Sequence, residues 1–313
     1  MEAYLLDWAA LLARWLHLIT GIAWIGASFY FIWLDNHLEA PKNRDNPRLS
    51  GEIWAIHGGG FYHNQKYLLG PEKLPETLHW FKWEAYFTWM SGMLVLGLVY
   101  WAGASAYLID RSVADLSVGA AIAISAGVLV AGWIVYDVLC RLIRNEWALG
   151  IVVYVLLVAA SWGLSQVFSA RAAYIHVGAI IGTIMVWNVF FIIMPGQRKM
   201  VAAITRGETP DPAPGLAGKQ RSVHNNYFTL PVLFIMISNH YPMTYGNAHG
   251  WLVLAVIMGA GVLIRHFFNL RHKGRTVWGY PIAALVLLAG VAAAIAPAKN
   301  AGGKPEVSME RLQ

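Results

Sequence analysis

Residues 224–240 read HNNYFTLPVLFIMISNH, an apolar run opened by His224, Asn225 and Asn226 and closed by Asn239 and His240. As a helix, its sixteen steps at about 1.5 Å each separate the two histidines by roughly 24 Å, most of the apolar thickness of a bilayer. The two polar ends then serve opposite faces of a membrane. Composition agrees: 58% of the 313 residues are hydrophobic and 13% are charged, the charged share being about half that of soluble proteins. The net charge of +6 does not point to nucleic acid, because the basic residues fall in short loops between apolar runs, where membrane topology accounts for them. A single cysteine, Cys140, rules out an intrachain disulfide, a CxxC zinc site and a CxxCH haem attachment. Redox chemistry in this chain therefore needs a noncovalent or external cofactor.

Working outward from 224–240, apolar runs of membrane-spanning length lie at 11–34, 84–107, 116–137, 147–169, 172–194, 226–243, 248–268 and 277–297. The expected fold is an all-α integral membrane protein of eight transmembrane helices. Of the 23 Lys and Arg, 17 fall in or beside the loops after spans one, three, five and seven. By the positive-inside rule both termini are extracytoplasmic, which in a bacterial inner membrane means periplasmic. Two loops are long: 35–83, and the Pro/Gly-rich 195–225, which reads as a flexible linker.

The halves echo one another. WEAYFT at 83–88 matches HNNYFT at 224–229, Leu16-His17 matches Ile175-His176, AGWIVYD at 131–137 matches AGVLIRH at 260–266, and Trp147 matches Trp278. Four matches in one order give two parallel four-helix repeats, 1–170 and 171–297, followed by an extracytoplasmic tail at 298–313.

Ionisable groups within membrane spans are costly and mark function. His17 and His176 are repeat equivalents near the outer ends of their spans, level with His240 and His249, and form a candidate ligand set for a noncovalent b-type haem. Hydrogen bonding between helices is the plainer role for the same imidazoles. On the inner side, His57, His63, Lys66, Lys82, Glu84, His224, Asn225, Asn226, Arg265 and His266 cluster. Glu84 and Asn225 are repeat equivalents that are expected to face one another. Cations, amides and the aromatics Phe61, Tyr62, Tyr67 and Tyr227 suit a flat anionic ligand. HGGGFYH at 57–63 lacks the GK[ST] of a phosphate loop. Its glycines are expected to form a re-entrant turn carrying His57 and His63 toward the core. Asp137 and Arg141, four apart, read as a local ion pair.

HGGGFYHNQKY at 57–67, HWFKWEAYFTWMSG at 79–92 and HNNYFTLPVLFIMISNHYP at 224–242 resemble the membrane domain of bacterial cytochrome c-linked urate hydroxylases, the PuuD-type urate oxidases, over essentially the whole chain. WLHLITGIAWIG at 15–26 resembles more loosely the first helix of small haem-binding membrane proteins. The first resemblance implies oxidation of urate to 5-hydroxyisourate, with electrons passed to a c-type cytochrome domain after the last span. The sequence departs from that plan, because it stops at KPEVSMERLQ with no CxxCH. Either it is the membrane portion of a longer chain, or a separate cytochrome takes the electrons. On physical grounds His224 and Glu84 are the expected proton acceptors, and Asn225, Asn226, Lys66, Arg265 and His63 the expected urate contacts. A purine or anion permease, and a b-type haem cytochrome linked to quinol, are the competing classes.

Overall fold

A computed structural model of the chain describes residues 1–42 and 46–297; the expected tail at 298–313 lies outside the described residues. The protein is mostly helical. The long helix α1 (Glu2–His37) is followed by a hairpin of β1 (Leu49–His57) and β2 (Gly60–Tyr67). Next comes α2 (Trp83–Val95), which runs on through π-helical turns at Leu96–Trp101 and Ala104–Leu108. α3 (Val118–Leu142), α4 (Glu146–Ser165) and α5 (Ala170–Trp187) follow, and α5 passes through a π-helical turn, Asn188–Ile193, into α6 (Met194–Thr205). The chain ends with α7 (Pro212–Ser238), the single turn α8 (Pro242–Tyr245), α9 (Gly250–His272) and α10 (Gly279–Ala294). Four starts are fixed by side chains: Ser117, Asn145, Ser169 and Asp211 each accept the N–H of a residue two or three positions on, satisfying a donor the helix itself cannot.

Among the described residues, five stretches are long and apolar enough to cross a membrane: Tyr4–His37, Val118–Leu142, Glu146–Ser165, Ala170–Thr205 and Gly250–His272. Large apolar side chains such as Leu12, Ile22, Trp147, Ile151 and Leu285 stand exposed on the outer helices, as side chains do when lipid is the solvent.

Inter-helix contacts fix the direction of every rod. His17 and Thr20 of α1 meet Ser91 while Phe31 meets Phe81, so α1 and α2 are antiparallel. Arg171 meets Asn239 and Met185 meets Asn225, which makes α5 and α7 antiparallel. Ser125 meets His176 and Tyr136 meets Asn188, so α3 runs with α5. Phe29 under Arg265 and His37 beside His272 set α1 parallel to α9. Tyr154 on Ala255 with Trp147 on His266 opposes α4 to α9, and His266 on Tyr280 with Phe267 on Trp278 opposes α10 to α9. Tyr227 on His266 with Leu230 beside Gly261 opposes α7 to α9, so α1, α3, α5 and α9 point one way, and α2, α4, α7 and α10 the other. The core centres on α5, where Val177 and Ile181 are fully buried. Close approach there depends on glycine: a Cβ at Gly178 would lie 2.5 Å from Ile235 Cγ2, and one at Gly132 2.7 Å from Ile180 Cγ2.

Two expectations are corrected and a third is extended. Segment 195–225 is no flexible linker: α6 reaches Thr205 and α7 starts at Pro212, with Asp211 as its cap. A proline at the first helical position needs no N–H and arrives with helical φ, so Pro212 starts the helix it was expected to break up. Segment 57–63 is no re-entrant turn. Gly58 (φ 59°) and Gly59 (φ 82°) form the two-residue turn of a hairpin, pairing His57 with Gly60 and leaving His57 and His63 exposed. Finally, the expected pair of Asp137 with Arg141 forms, and Asp137 takes a second partner as well. One oxygen takes Arg141 Nε at 2.8 Å, and the other takes the buried Arg221 Nη2 of α7 at 2.7 Å. Sequence spacing along one helix carries no sign of a partner 84 residues away.

Candidate functional site

Asn225 and Asn226 are successive residues of α7, so their side chains project about 100° apart around the helix and meet different neighbours. Asn225 turns to α5: its Nδ2 donates to the Met185 carbonyl (2.9 Å), and its Oδ1 accepts from Asn188 Nδ2 (3.1 Å). Asn226, fully buried, turns to α9, where its Oδ1 accepts from Arg265 Nε (2.9 Å) and Asn269 Nδ2 (3.0 Å). The Arg265 guanidinium lies over the Phe29 ring at 4.2 Å, a cation–π contact from α1.

This second group holds a set of orphans. Among the described residues, Arg265 Nη2, Asn226 Nδ2 and Asn269 Oδ1 are buried without a hydrogen-bond partner. Two donors, one of them cationic, and one acceptor thus meet in a helix interface where unpaired polar atoms are expensive. Asn269 went unnoticed in the sequence; it lies one turn beyond Arg265 on α9, and that spacing was the available signal.

The first group forms a chain toward the helix ends. Asn188 Nδ2 also donates to Tyr136 Oη (3.1 Å), Tyr136 Oη bonds His224 Nδ1 (2.7 Å), and His224 Nε2 bonds Glu146 Oε2 (3.0 Å). His224 is mostly buried, whereas the Glu146 side chain is 58% exposed. The polarity is consistent: Tyr136 accepts from Asn188, so its O–H donates to His224 Nδ1, and the Nε2–H of that tautomer donates to the carboxylate. Glu146 and Tyr136 were not singled out in the sequence, because their partner lies 78 and 88 residues away.

Other expected residues are placed elsewhere. Glu84 is half-buried in the first turn of α2 and, among the described residues, is bonded to neither group. Lys66 on β2 donates to Asp35 at the end of α1 (2.7 Å), and His63 stacks on Trp54 and bonds Glu52 Oε2 (2.8 Å). Phe61 and Tyr62 are exposed on the same hairpin. Glu52 lies outside the spanning helices, and its carboxyl is held below the usual carboxylate range by the Lys42 backbone N–H and then by His63.

The four outer histidines separate. His17 Nδ1 lies 3.0 Å from the Thr88 carbonyl and 3.1 Å from Ser91 Oγ. His176 is fully buried with both nitrogens engaged: Nδ1 donates to the Ala172 carbonyl (2.8 Å), and Nε2 takes Ser125 O–H (2.6 Å). His240 and His249 are exposed, the latter at the N-cap of α9. Among the described residues no three His, Cys, Asp or Glu side chains are grouped to hold a metal ion. A cavity of about 570 Å³ opens between α1, α2, α5 and α7, with His17 and His240 both in its wall. A second, apolar cavity of about 380 Å³ lies between α3, α4 and α5.

Fold and site together define a helical membrane protein with a buried amide–guanidinium group beside a chain of proton-carrying side chains. The chain belongs to the urate oxidase N-terminal family, whose sequence profile matches residues 3–296. The family's name points to an oxidase acting on urate. No curated protein and no solved structure matches the chain.

Proposed function

We propose that the protein oxidises urate to 5-hydroxyisourate in the bacterial inner membrane and passes the electrons to a c-type cytochrome on the periplasmic side. The observation that carries this reading is the orphan set of Arg265, Asn226 and Asn269 inside a chain of the urate oxidase family. Urate is a planar monoanion near neutral pH, with carbonyl oxygens and N–H groups along its edge. Arg265 Nη2 and Asn226 Nδ2 donate to its oxygens and Asn269 Oδ1 accepts an N–H, so binding pairs three groups that folding alone leaves unpaired. Asn225 holds Asn188 and thereby the neighbouring proton chain. Lys66 and His63, already paired with Asp35 and Glu52, stand outside the contact set.

The reaction balances as urate plus water giving 5-hydroxyisourate, two protons and two electrons. The water oxygen bonds to the purine ring, and two ferric cytochromes each take one electron. The line Tyr136, His224, Glu146 is a route by which the protons reach solvent, with His224 as the relay. Glu84 stands as a second acceptor from the opposite half.

The eight alternating rods support eight spans. α2 is interrupted by π turns, α7 opens with a polar stretch, and α10 is short, so each contributes a crossing that composition alone underrates. The matched sequence stretches pair α1 with α5, α2 with α7, α3 with α9 and α4 with α10, and each pair shares its direction. The split of 17 of 23 basic residues to one side supports an orientation with both termini in the periplasm, where c-type cytochromes reside.

The test is urate consumption by the purified protein in detergent with ferric cytochrome c, following loss of urate and reduction of the cytochrome at two per urate. Reduction in that ratio is the expected result. Binding of urate with no consumption, together with its movement across proteoliposomes, would replace the oxidase by a permease.

A further inference from the structure

We infer that the cavity between α1, α2, α5 and α7 is a noncovalent haem site, with His17 and His240 as the axial pair and Arg14 and Arg171 as partners of the two haem carboxylates. The volume, about 570 Å³, lies in the range of pockets that enclose one small ligand or cofactor.

The helix register brings the two histidines together. α1 and α7 run antiparallel, and Gly21 faces Met236, whose Cε would lie 3.9 Å from a Cβ at position 21. Four residues toward the outer end along each chain lead to His17 and His240. His17 on α1 and His240, two residues past the end of α7, therefore enter the cavity from opposing segments at one level, as a bis-histidine iron requires. The His17 ring is set up to ligate a metal. Its Nδ1 faces the Thr88 carbonyl, which only accepts, so the proton sits on Nδ1 and Nε2 keeps its lone pair. A histidine whose far nitrogen donates to a backbone carbonyl is already oriented as a metal ligand. His176, the repeat equivalent, fails the same examination: both its nitrogens are bonded and it does not line the cavity. His249 is also absent from the wall.

The cavity wall suits the rest of the macrocycle. It is apolar in its depth and carries Arg14 and Arg171 nearer the outer end, one on α1 and one at the start of α5. Among the described residues neither arginine is paired with a carboxylate, and Arg171 Nε rests on Asn239 Oδ1 (2.9 Å). A flat, apolar macrocycle with two acids at one edge matches an apolar slot with two cations at one end. Gly182 keeps one wall flat: a Cβ built there meets nothing within 4 Å. Such a group would supply one-electron chemistry between the inner side-chain groups and an outer acceptor.

The experiment needs no urate and is therefore independent of the proposed reaction. The chain is produced in haem-replete cells, purified in detergent and examined by absorption and by pyridine haemochrome content. The expected result is a Soret band with the sharp reduced bands of six-coordinate low-spin iron. His17→Ala and His240→Ala each remove or shift that band, Gly182→Leu lowers haem content by filling the slot, and His249→Ala leaves the spectrum unchanged. Added imidazole restores the six-coordinate spectrum to His17→Gly, which separates lost ligation from lost folding. A parent protein without haem overturns the site, and an unshifted band in either His17→Ala or His240→Ala overturns the axial pair.

Discussion

Asn226→Asp separates urate binding from folding. In the parent, Oδ1 accepts from Arg265 and Asn269 at 2.9 and 3.0 Å, and Nδ2 is unpaired. Aspartate has the same shape and keeps the acceptor, so both bonds survive and the one from Arg265 becomes charge-assisted; the fold is not weakened. Binding suffers, because the donor that urate would meet becomes an acceptor and the carboxylate neutralises Arg265. A hydrogen bond to a charged partner contributes about 1.5–3 kcal/mol. At about 1.4 kcal/mol per factor of ten, affinity falls by roughly tenfold to 150-fold. Titration calorimetry with urate in detergent reads the affinity, and a thermal unfolding scan reads the fold. Asn225→Asp supplies the contrast, since its Nδ2 donates to the Met185 carbonyl and a carboxylate there sets acceptor against acceptor. That variant loses stability. Parental urate affinity in a normally folded Asn226→Asp protein would refute the placement of the substrate edge at Asn226.

Three further outcomes are expected. Glu146→Gln and His224→Ala interrupt the proton route and lower kcat by about a hundredfold with a smaller change in KM, as steady-state assays with cytochrome c would show; a change confined to KM counts against the relay. Asp137→Ala leaves the buried Arg221 unpaired and costs about 3–5 kcal/mol of stability, measured by denaturant unfolding in mixed micelles, while the double variant with Arg221→Met recovers most of it. The Glu52 carboxyl is acidified in the folded hairpin by the Lys42 N–H, so its contribution is complete at neutral pH and disappears as pH falls through the lowered value. Protection of the amides across 49–67, taken relative to their intrinsic exchange rates, should fall on acidification in the parent and lose that dependence in Glu52→Gln.

What the sequence made legible was whatever a single segment carries by itself. Apolar runs of bilayer length located the helices, and basic loops gave a direction to each, because span length and loop charge are local quantities. The polar cluster around 224–226 and 265 was legible for the same reason, since ionisable and amide groups inside apolar runs are few. Pairings across helices were not. Asn225 and Asn226 looked like one clamp because they are adjacent in sequence, but a helix turns successive residues to different neighbours, and only the packing of α5 and α9 decides which. Glu146 was hidden at the start of an apolar span, where an acid reads as a helix-terminus charge, until His224 of α7 met it. The outer histidines give the sharpest instance. Repeat symmetry matched His17 with His176, and their local sequences are alike, but Ser125 on α3 takes the second nitrogen of His176. Among the described residues His17 lies on α1 with its Nε2 unengaged and a cavity beside it, and His240, just past the end of α7, lines the same cavity. Two equivalent residues thus acquire different chemistry from the neighbour at one ring nitrogen, and that neighbour is set by helix packing.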